Sequence, residues 1–339
     1  MMLETNTTQT SGQKVQPDHK YYGHGKLLLS GEYFVMDGAH ALALPLKLGQ
    51  ELSVSYSHSF DPKLTWKSYD ANGELWFEGT YEFWHCRCLD ENPSEIALFL
   101  EKILQQARIQ NKHFLREEMD VLVETKLDFP YEWGLGSSST LIYNVAQWAY
   151  ISPFELAFNT FGGSGYDIAC AQSDGPILYQ RKSNGPHWSP ISFNPKFTEE
   201  LFFVYLGKKQ ETSSAIKYYQ QKRPFEANVI ETLSKITDDM KTADSLEEFE
   251  FLIQAHEKIV ADNLGLKRVK DEMFPDYWGE IKSLGAWGGD FALVTSKLGA
   301  KLTKKYFEEK GHQVFFKYND LILTSPDLTS KSSGHELIQ

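Results

Sequence analysis

Four short stretches of this chain set chemically capable side chains beside glycine. "PYEWGLGSSST" (130–140) puts Gly134, Leu135 and Gly136 directly before Ser137, Ser138 and Ser139. "GKLLLSGEYFVMDG" (25–38) opens on Lys26, with Glu32 and Tyr33 behind its next glycine. "GGSGYDIA" (162–169) carries one carboxylate, Asp167, where a glycine-rich turn becomes a helix. "GAWGGD" (285–290) is a further glycine loop, holding Gly288 and Gly289. The chemistry that such stretches allow is anion binding. A glycine loop that opens a helix leaves amides for a ligand, the helix dipole adds positive charge, and glycine lets phosphate approach the backbone. The hydroxyls of Ser137, Ser138, Ser139 and Thr140 can bond phosphate or ligate magnesium. Taken alone, 130–149 is more simply a capped helix after a flexible turn. The P-loop pattern is not met, because no lysine follows the glycines, and dinucleotide-binding spacing is not met either.

Strands and helices must bring these residues together. Residues 119–129 read as a strand feeding the loop, and Leu141, Ile142, Val145, Ala146 and Ala149 share one face of the helix behind it. Residues 25–38 and 41–57 read as strands broken by turns, and 64–83 as a hairpin around Asn72-Gly73. A helix is expected over 92–109, capped by Asn92 with Pro93 at its first position. A short helix over 153–161 and a strand at 176–180 follow. Residues 183–197, rich in Pro, Gly, Asn and Ser, read as the connection between two units. Beyond it come a strand over 201–209, and a helix over 245–262 that opens on a Ser245/Glu248 capping box. A turn into a strand (285–296), a helix (298–310) and strands at 313–318 and 321–323 complete the pattern. Strands and helices mix in both halves, which implies an α+β fold of two sandwiches. The expected limits are a tail over 1–19, units over 20–185 and 195–325, and a polar tail over 326–339.

Bulk properties narrow the function. A chain of 339 residues exceeds what one core usually holds, and 41% hydrophobic content is ample for packed cores. The net charge of −12 argues against nucleic acid as a partner. Cys86, Cys88 and Cys170 are too few for a disulfide framework. "HCRC" (85–88) lacks the second ligand pair that a closed zinc site needs. The first residues lack an apolar segment, and no apolar run reaches membrane-spanning length. The expectation is a cytoplasmic monomer or homodimer that takes a small anionic substrate and neither membrane nor nucleic acid.

The glycine stretches, in this order, resemble those of the GHMP small-molecule kinases. "GK-x-L-x-GE-x-x-V-x-x-G" matches at 25–38, "P-x-x-x-GLGSS" at 130–138, and the third motif of that family at 285–289. "GSGYDIA" is similar to a string that marks a bacterial subgroup, and to the "GSGFD" of phosphomevalonate kinases. The resemblance implies an N-terminal domain like domain 2 of ribosomal protein S5, a ferredoxin-like C-terminal domain, and ATP between them. It also implies that Gly134, Leu135, Gly136, Ser137, Ser138 and Ser139 wrap the nucleotide phosphates and that Ser138 helps hold Mg²⁺. Asp167 then stands at the catalytic aspartate and Lys26 at the first-motif lysine. Such an aspartate accepts the acceptor hydroxyl's proton. Such a lysine keeps the aspartate ionised and stabilises the transferring group.

The chain departs from the family pattern in three places. The path from Ser138 to Asp167 is short, and Glu155, one position off register, is its only acidic residue and so the candidate second metal ligand. Tyr33 stands where mevalonate and galactose kinases usually carry His. Trp287 and Asp290 interrupt the all-glycine third loop, with Trp287 either narrowing the substrate side or packing beneath the loop. "GKKQETSSAI" (207–216) resembles a phosphomevalonate kinase segment, which makes Lys208, Thr212 and Ser213 candidates for an anionic acceptor. A solvated loop before a helix from Ala215 fits it equally. With Tyr33, Gly288 and Gly289 these form the expected acceptor side. The implied reaction is phosphoryl transfer to phosphomevalonate or mevalonate. Alternatives are a sugar or amino-alcohol acceptor, or nucleotide binding without transfer.

Overall fold

The computed structural model describes residues 16–324 except 118, 208–211, 286 and 288. In the first half, β1 (His19–Ser30) pairs antiparallel with the long β2 (Ala41–His58). A hairpin follows, β3 (Lys63–Tyr69) and β4 (Leu75–Glu82). Its turn is closed by the Asp70 carboxylate, which accepts from the N–H groups of Asn72 (2.9 Å) and Glu74 (2.8 Å). Next come α1 (Glu95–Gln110) and β5 (Met119–Leu127), which lies between β2 and β3, parallel only to β3. Then α2 (Ser137–Ala149), α3 (Pro153–Thr160) and α4 (Tyr166–Ala171) lead to β6 (Ile177–Lys182) and β7 (Gly185–Pro190). The sheet runs β4-β3-β5-β2-β6-β7, with β1 also on β2.

The second half holds β8 (Leu201–Tyr205), α5 (Thr212–Lys222), α6 (Ala227–Thr242), α7 (Leu246–Leu264) and α8 (Val269–Met273). It continues with β9 (Ile281–Leu284), β10 (Phe291–Thr295), α9 (Gly299–Glu309), β11 (Phe315–Lys317) and α10 (Tyr318–Leu321). Its antiparallel sheet runs β11-β8-β10-β9, so its strands lie in the order fourth, first, third, second. That order, with helices between strands, is ferredoxin-like.

Four local expectations are corrected. Residues 185–190, taken for part of a connection, form β7, because Lys182 and Gly185 pair around a two-residue turn and the ladder continues to Ile177 and Pro190. Ser94, not Asn92, caps α1: its backbone is extended, and its hydroxyl accepts from the Ala97 N–H at 3.2 Å. α5 begins at Thr212 rather than Ala215. Residues 321–323 are not a strand; α10 ends there, and Ile322 makes a single bridge to Leu46 of β2. Ser245 caps the helix as expected, its Oγ accepting from the Glu248 N–H (3.2 Å), while the Glu248 carboxylate accepts from the Asp244 N–H (3.0 Å), one residue before the cap.

The two sheets share apolar packing. Leu27, Leu44 and Leu46 of the first half belong to one buried cluster with Phe203, Phe249 and Leu293 of the second. This cluster holds the strand bearing Lys26 against the half that carries the last glycine loop. A separate cluster lies under α1 and α2, built from Leu100, Ile103, Ile142, Val145 and Trp148. Among the described residues no helix is long and apolar enough to cross a membrane.

Candidate active site

The path from β5 reaches α2 through two left-handed glycines, Gly134 (φ 68°) and Gly136 (φ 98°). Only glycine adopts such angles without strain. Gly134 is also confined by its neighbour, since a Cβ built there would lie 2.1 Å from Asp290 Oδ2. Gly136 is the N-cap of α2 and offers no side-chain acceptor to the helix. The first-turn amides of α2 are therefore left for a ligand, at the positive end of the helix dipole. Lys26 fastens this loop twice: its backbone N–H donates to Leu135 O at 2.9 Å, and its Nζ donates to Gly134 O at 2.8 Å.

These residues open onto a cavity of about 350 Å³ lined by Lys26, Gly136, Ser137, Ser138, Ser139 and Asp167, with Gly134 at its edge. Leu135 is buried behind the loop. Asp167 sits in the first turn of α4, where its Oδ1 accepts from the Ile168 N–H (3.0 Å) and its Oδ2 accepts from Ser139 Oγ (2.6 Å). Among the described residues no ion pair joins Lys26 to Asp167; the lysine is bonded to the loop carbonyl and lies 6.0 Å from the centre of the Tyr166 ring. Burial first, and the Asp167 charge next, push the Tyr166 hydroxyl well above the usual tyrosine range, so it stays protonated.

The other expected residues divide. Thr140 turns away, its hydroxyl donating to Gln50 Oε1 at 2.8 Å inside the fold. Glu155 is exposed on α3 and is not part of the cavity lining, so the expected second metal ligand is not brought to the site. The cause is local: Ser152 caps α3, and the helix buries Leu156 and Ala157, which leaves Glu155 on the solvent side. Tyr33 lines the cavity, its hydroxyl accepting from the Trp287 N–H (3.0 Å) and its ring stacked on Tyr219. Trp287 packs beneath the loop, with its Nε1 donating to Lys267 O at 2.6 Å. Gly289 is buried and does not line the cavity. Lys208 and Gly288 lie outside the described residues. Thr212 and Ser213 open α5, whose Ala215 and Ile216 reach the cavity.

Sequence reasoning singled out Asp290 only as a departure, yet its buried carboxylate lines the cavity against Gly134. A carboxylate directly after a glycine loop was the available signal. The apolar part of the lining was missed altogether: Leu28, Val35, Met36 and Phe161 also line the cavity. So was a recess beside the loop, where Trp76, Phe99, Leu141 and Tyr131 adjoin Ser137 and Ser138. Its residues come from separate elements, and no local spacing announces it.

No family model matches the chain, and no curated protein sequence matches it. Solved structures do. Methanococcus jannaschii mevalonate kinase aligns with TM-score 0.67 at 14% identity, covering 92% of this chain and 100% of that one. L. major mevalonate kinase in complex with R-mevalonate aligns with TM-score 0.65 at 16% identity, covering 91% and 98%. Streptococcus pneumoniae phosphomevalonate kinase in complex with phosphomevalonate and AMPPNP aligns with TM-score 0.61 at 16% identity, covering 90% and 98%. The chain therefore has the two-domain α+β fold of the GHMP kinases.

Proposed function

We propose that this chain is an ATP-dependent small-molecule kinase and that its acceptor is phosphomevalonate or mevalonate. One observation carries the reading: Lys26, Asp167 and the N-terminus of α2 face a single cavity. The amides of Ser137, Ser138 and Ser139 and the hydroxyls of Ser137 and Ser138 bind the terminal phosphates of ATP. The aromatic recess at Trp76, Phe99 and Tyr131, which adjoins the same serines, receives the base. Lys26, held to the loop by Gly134 O, offsets charge on the transferring group. With mevalonate, Asp167 accepts the proton of the acceptor hydroxyl as that oxygen attacks, whereas the phosphate of phosphomevalonate attacks as an anion and needs only to be positioned. The Ser139 hydroxyl and the Ile168 N–H fix both oxygens of the Asp167 carboxylate, so the base is oriented before substrate arrives. The apolar lining excludes water, which would otherwise compete as acceptor.

The cavity also suits Mg²⁺, a hard cation that prefers oxygen ligands. Ser138 and the buried Asp290 carboxylate line it and would hold the ion, with Asp290 in place of the acidic ligand that Glu155 does not supply. Bound Mg²⁺ supplies charge neutralisation on the phosphates.

The test is ADP release from ATP with mevalonate, phosphomevalonate, galactose and homoserine. Turnover of mevalonate or phosphomevalonate is expected, and turnover of galactose alone would sink the isoprenoid assignment. A second reading, nucleotide binding without transfer, draws on the position of Glu155 outside the cavity. ATP binding with no turnover of any acceptor would favour it.

A further inference from the structure

Four ionisable side chains meet in the joint between the two halves, none with any exposed surface: Glu32, His256, Glu257 and Lys282. Lys282 Nζ on β9 donates to Glu32 Oε1 at 2.5 Å and to Ser283 O at 3.1 Å, and lies 3.5 Å from Glu257 Oε1. Ser283 Oγ donates to Glu257 Oε2 at 3.3 Å. His256 Nε2 accepts from the Gly31 N–H at 3.1 Å, so the ring carries its proton on Nδ1. Its 3.3 Å approach to Glu32 Oε2 is thus not an ion pair, since burial first and Lys282 next hold the ring neutral. Burial raises both carboxyls, and Glu257 is pushed up to about 7. Among the described residues, Glu32 Oε2 and His256 Nδ1 are buried without a hydrogen-bond partner.

Such a cluster is costly, and apolar packing of similar volume would be at least as stable. Its location supplies a reason for it. Glu32 directly precedes Tyr33, whose backbone is left-handed (φ 62°). Tyr33, Val35 and Met36 line the cavity. Lys282 and Ser283 lie just ahead of the 285–290 loop, whose Trp287 N–H meets the Tyr33 hydroxyl. The same turn is tied to α6, where Ser30 Oγ donates to Thr237 Oγ1 at 2.9 Å. An ion pair and directional hydrogen bonds hold a strained turn in one register, which a greasy contact does not.

We infer that Glu32, His256, Glu257 and Lys282 are positioning residues that set the acceptor side of the cavity by locking the 31–36 turn to the strand leading into the 285–290 loop. None of the four lines the cavity, and they act through Tyr33 and Trp287. The kinetic arm of the test rests on the kinase reading; the exchange arm does not.

The experiment compares the full chain with Glu257→Gln and with the double variant Glu32→Gln/Lys282→Met, which removes both charges of the pair together. Amide hydrogen exchange in peptides covering 31–37 and 281–291 is expected to speed up about tenfold, with 134–149 unchanged. Exchange unchanged in these segments, or raised uniformly along the chain, overturns the inference. With mevalonate or phosphomevalonate as acceptor, its KM is expected to rise about tenfold while that for ATP stays within about twofold. Equal rises in both overturn it as well. If the parent chain turns over neither acceptor, the isoprenoid assignment fails and exchange alone decides this one.

Discussion

At the scale of single residues, the site is a set of close approaches that side chains either permit or forbid. Asp167 is oriented by two donors, so removing its charge should remove proton acceptance and little else. With mevalonate as acceptor, Asp167→Asn is expected to lower kcat by about 10²- to 10⁴-fold with ATP affinity nearly unchanged, read by single-turnover kinetics and by nucleotide titration. Gly134→Ala makes a harsher change. The new Cβ meets the Asp290 carboxylate, and the left-handed backbone adds about 1–2 kcal/mol for any L side chain. Weaker ATP binding is the expected outcome. A lower melting temperature accompanies it, and adding Asp290→Gly should recover part of that stability but not Mg²⁺-dependent ATP binding; a double-mutant cycle on stability measures the coupling, and additive losses would show that the two residues do not meet. The role of Gly134 was legible as glycine next to serine, but its confinement by Asp290 was not, because the two are far apart in the chain.

At the scale of elements, local signals decided most of the outcome. The Ser245 cap on the Glu248 N–H starts α7 where the pattern places it, because both partners lie within one helical turn. Ser245→Ala should cost about 1 kcal/mol in stability, seen as a lower denaturant midpoint with an unchanged slope and unchanged kinetics. The same local logic misplaced the cap of α1, since Asn92 and Ser94 both qualify by type and only the backbone around Pro93 selects between them. It also missed β7, whose Pro and Gly content hides a strand that pairs with β6. Edge strands tolerate such residues because one side of their ladder is open.

At the scale of the whole molecule, the two halves are joined by shared apolar packing and by the buried charges beside it. Glu257 in that joint gives a signed pH dependence. Its folded pKa, about 7, lies above its ordinary value, so the folded chain holds a proton that the unfolded chain releases, and stability falls as pH rises from about 4.5 to about 7. His256 acts oppositely, because it is neutral when folded and takes up a proton on unfolding below about 6.5. It faces Glu32 and Lys282, while Glu257 faces both of these and Arg268. Glu257→Gln removes only the first effect. Its melting temperature relative to the parent chain should climb between pH 5 and about pH 7.5 and then level off; a constant difference would show that Glu257 does not titrate in that window. The sequence by itself determined the glycine loop that opens α2, the lysine and aspartate that share its cavity, and the mixed strand–helix pattern. Each of these is written in residues a few positions apart, through helix periodicity, capping and glycine spacing. The tertiary structure alone decided that Asp290 rather than Glu155 reaches the cavity, that Thr140 turns inward, and that Lys282 meets Glu32 across 250 positions of chain. Contacts of that range depend on how packed elements meet, and no local pattern specifies which buried charge will find which partner.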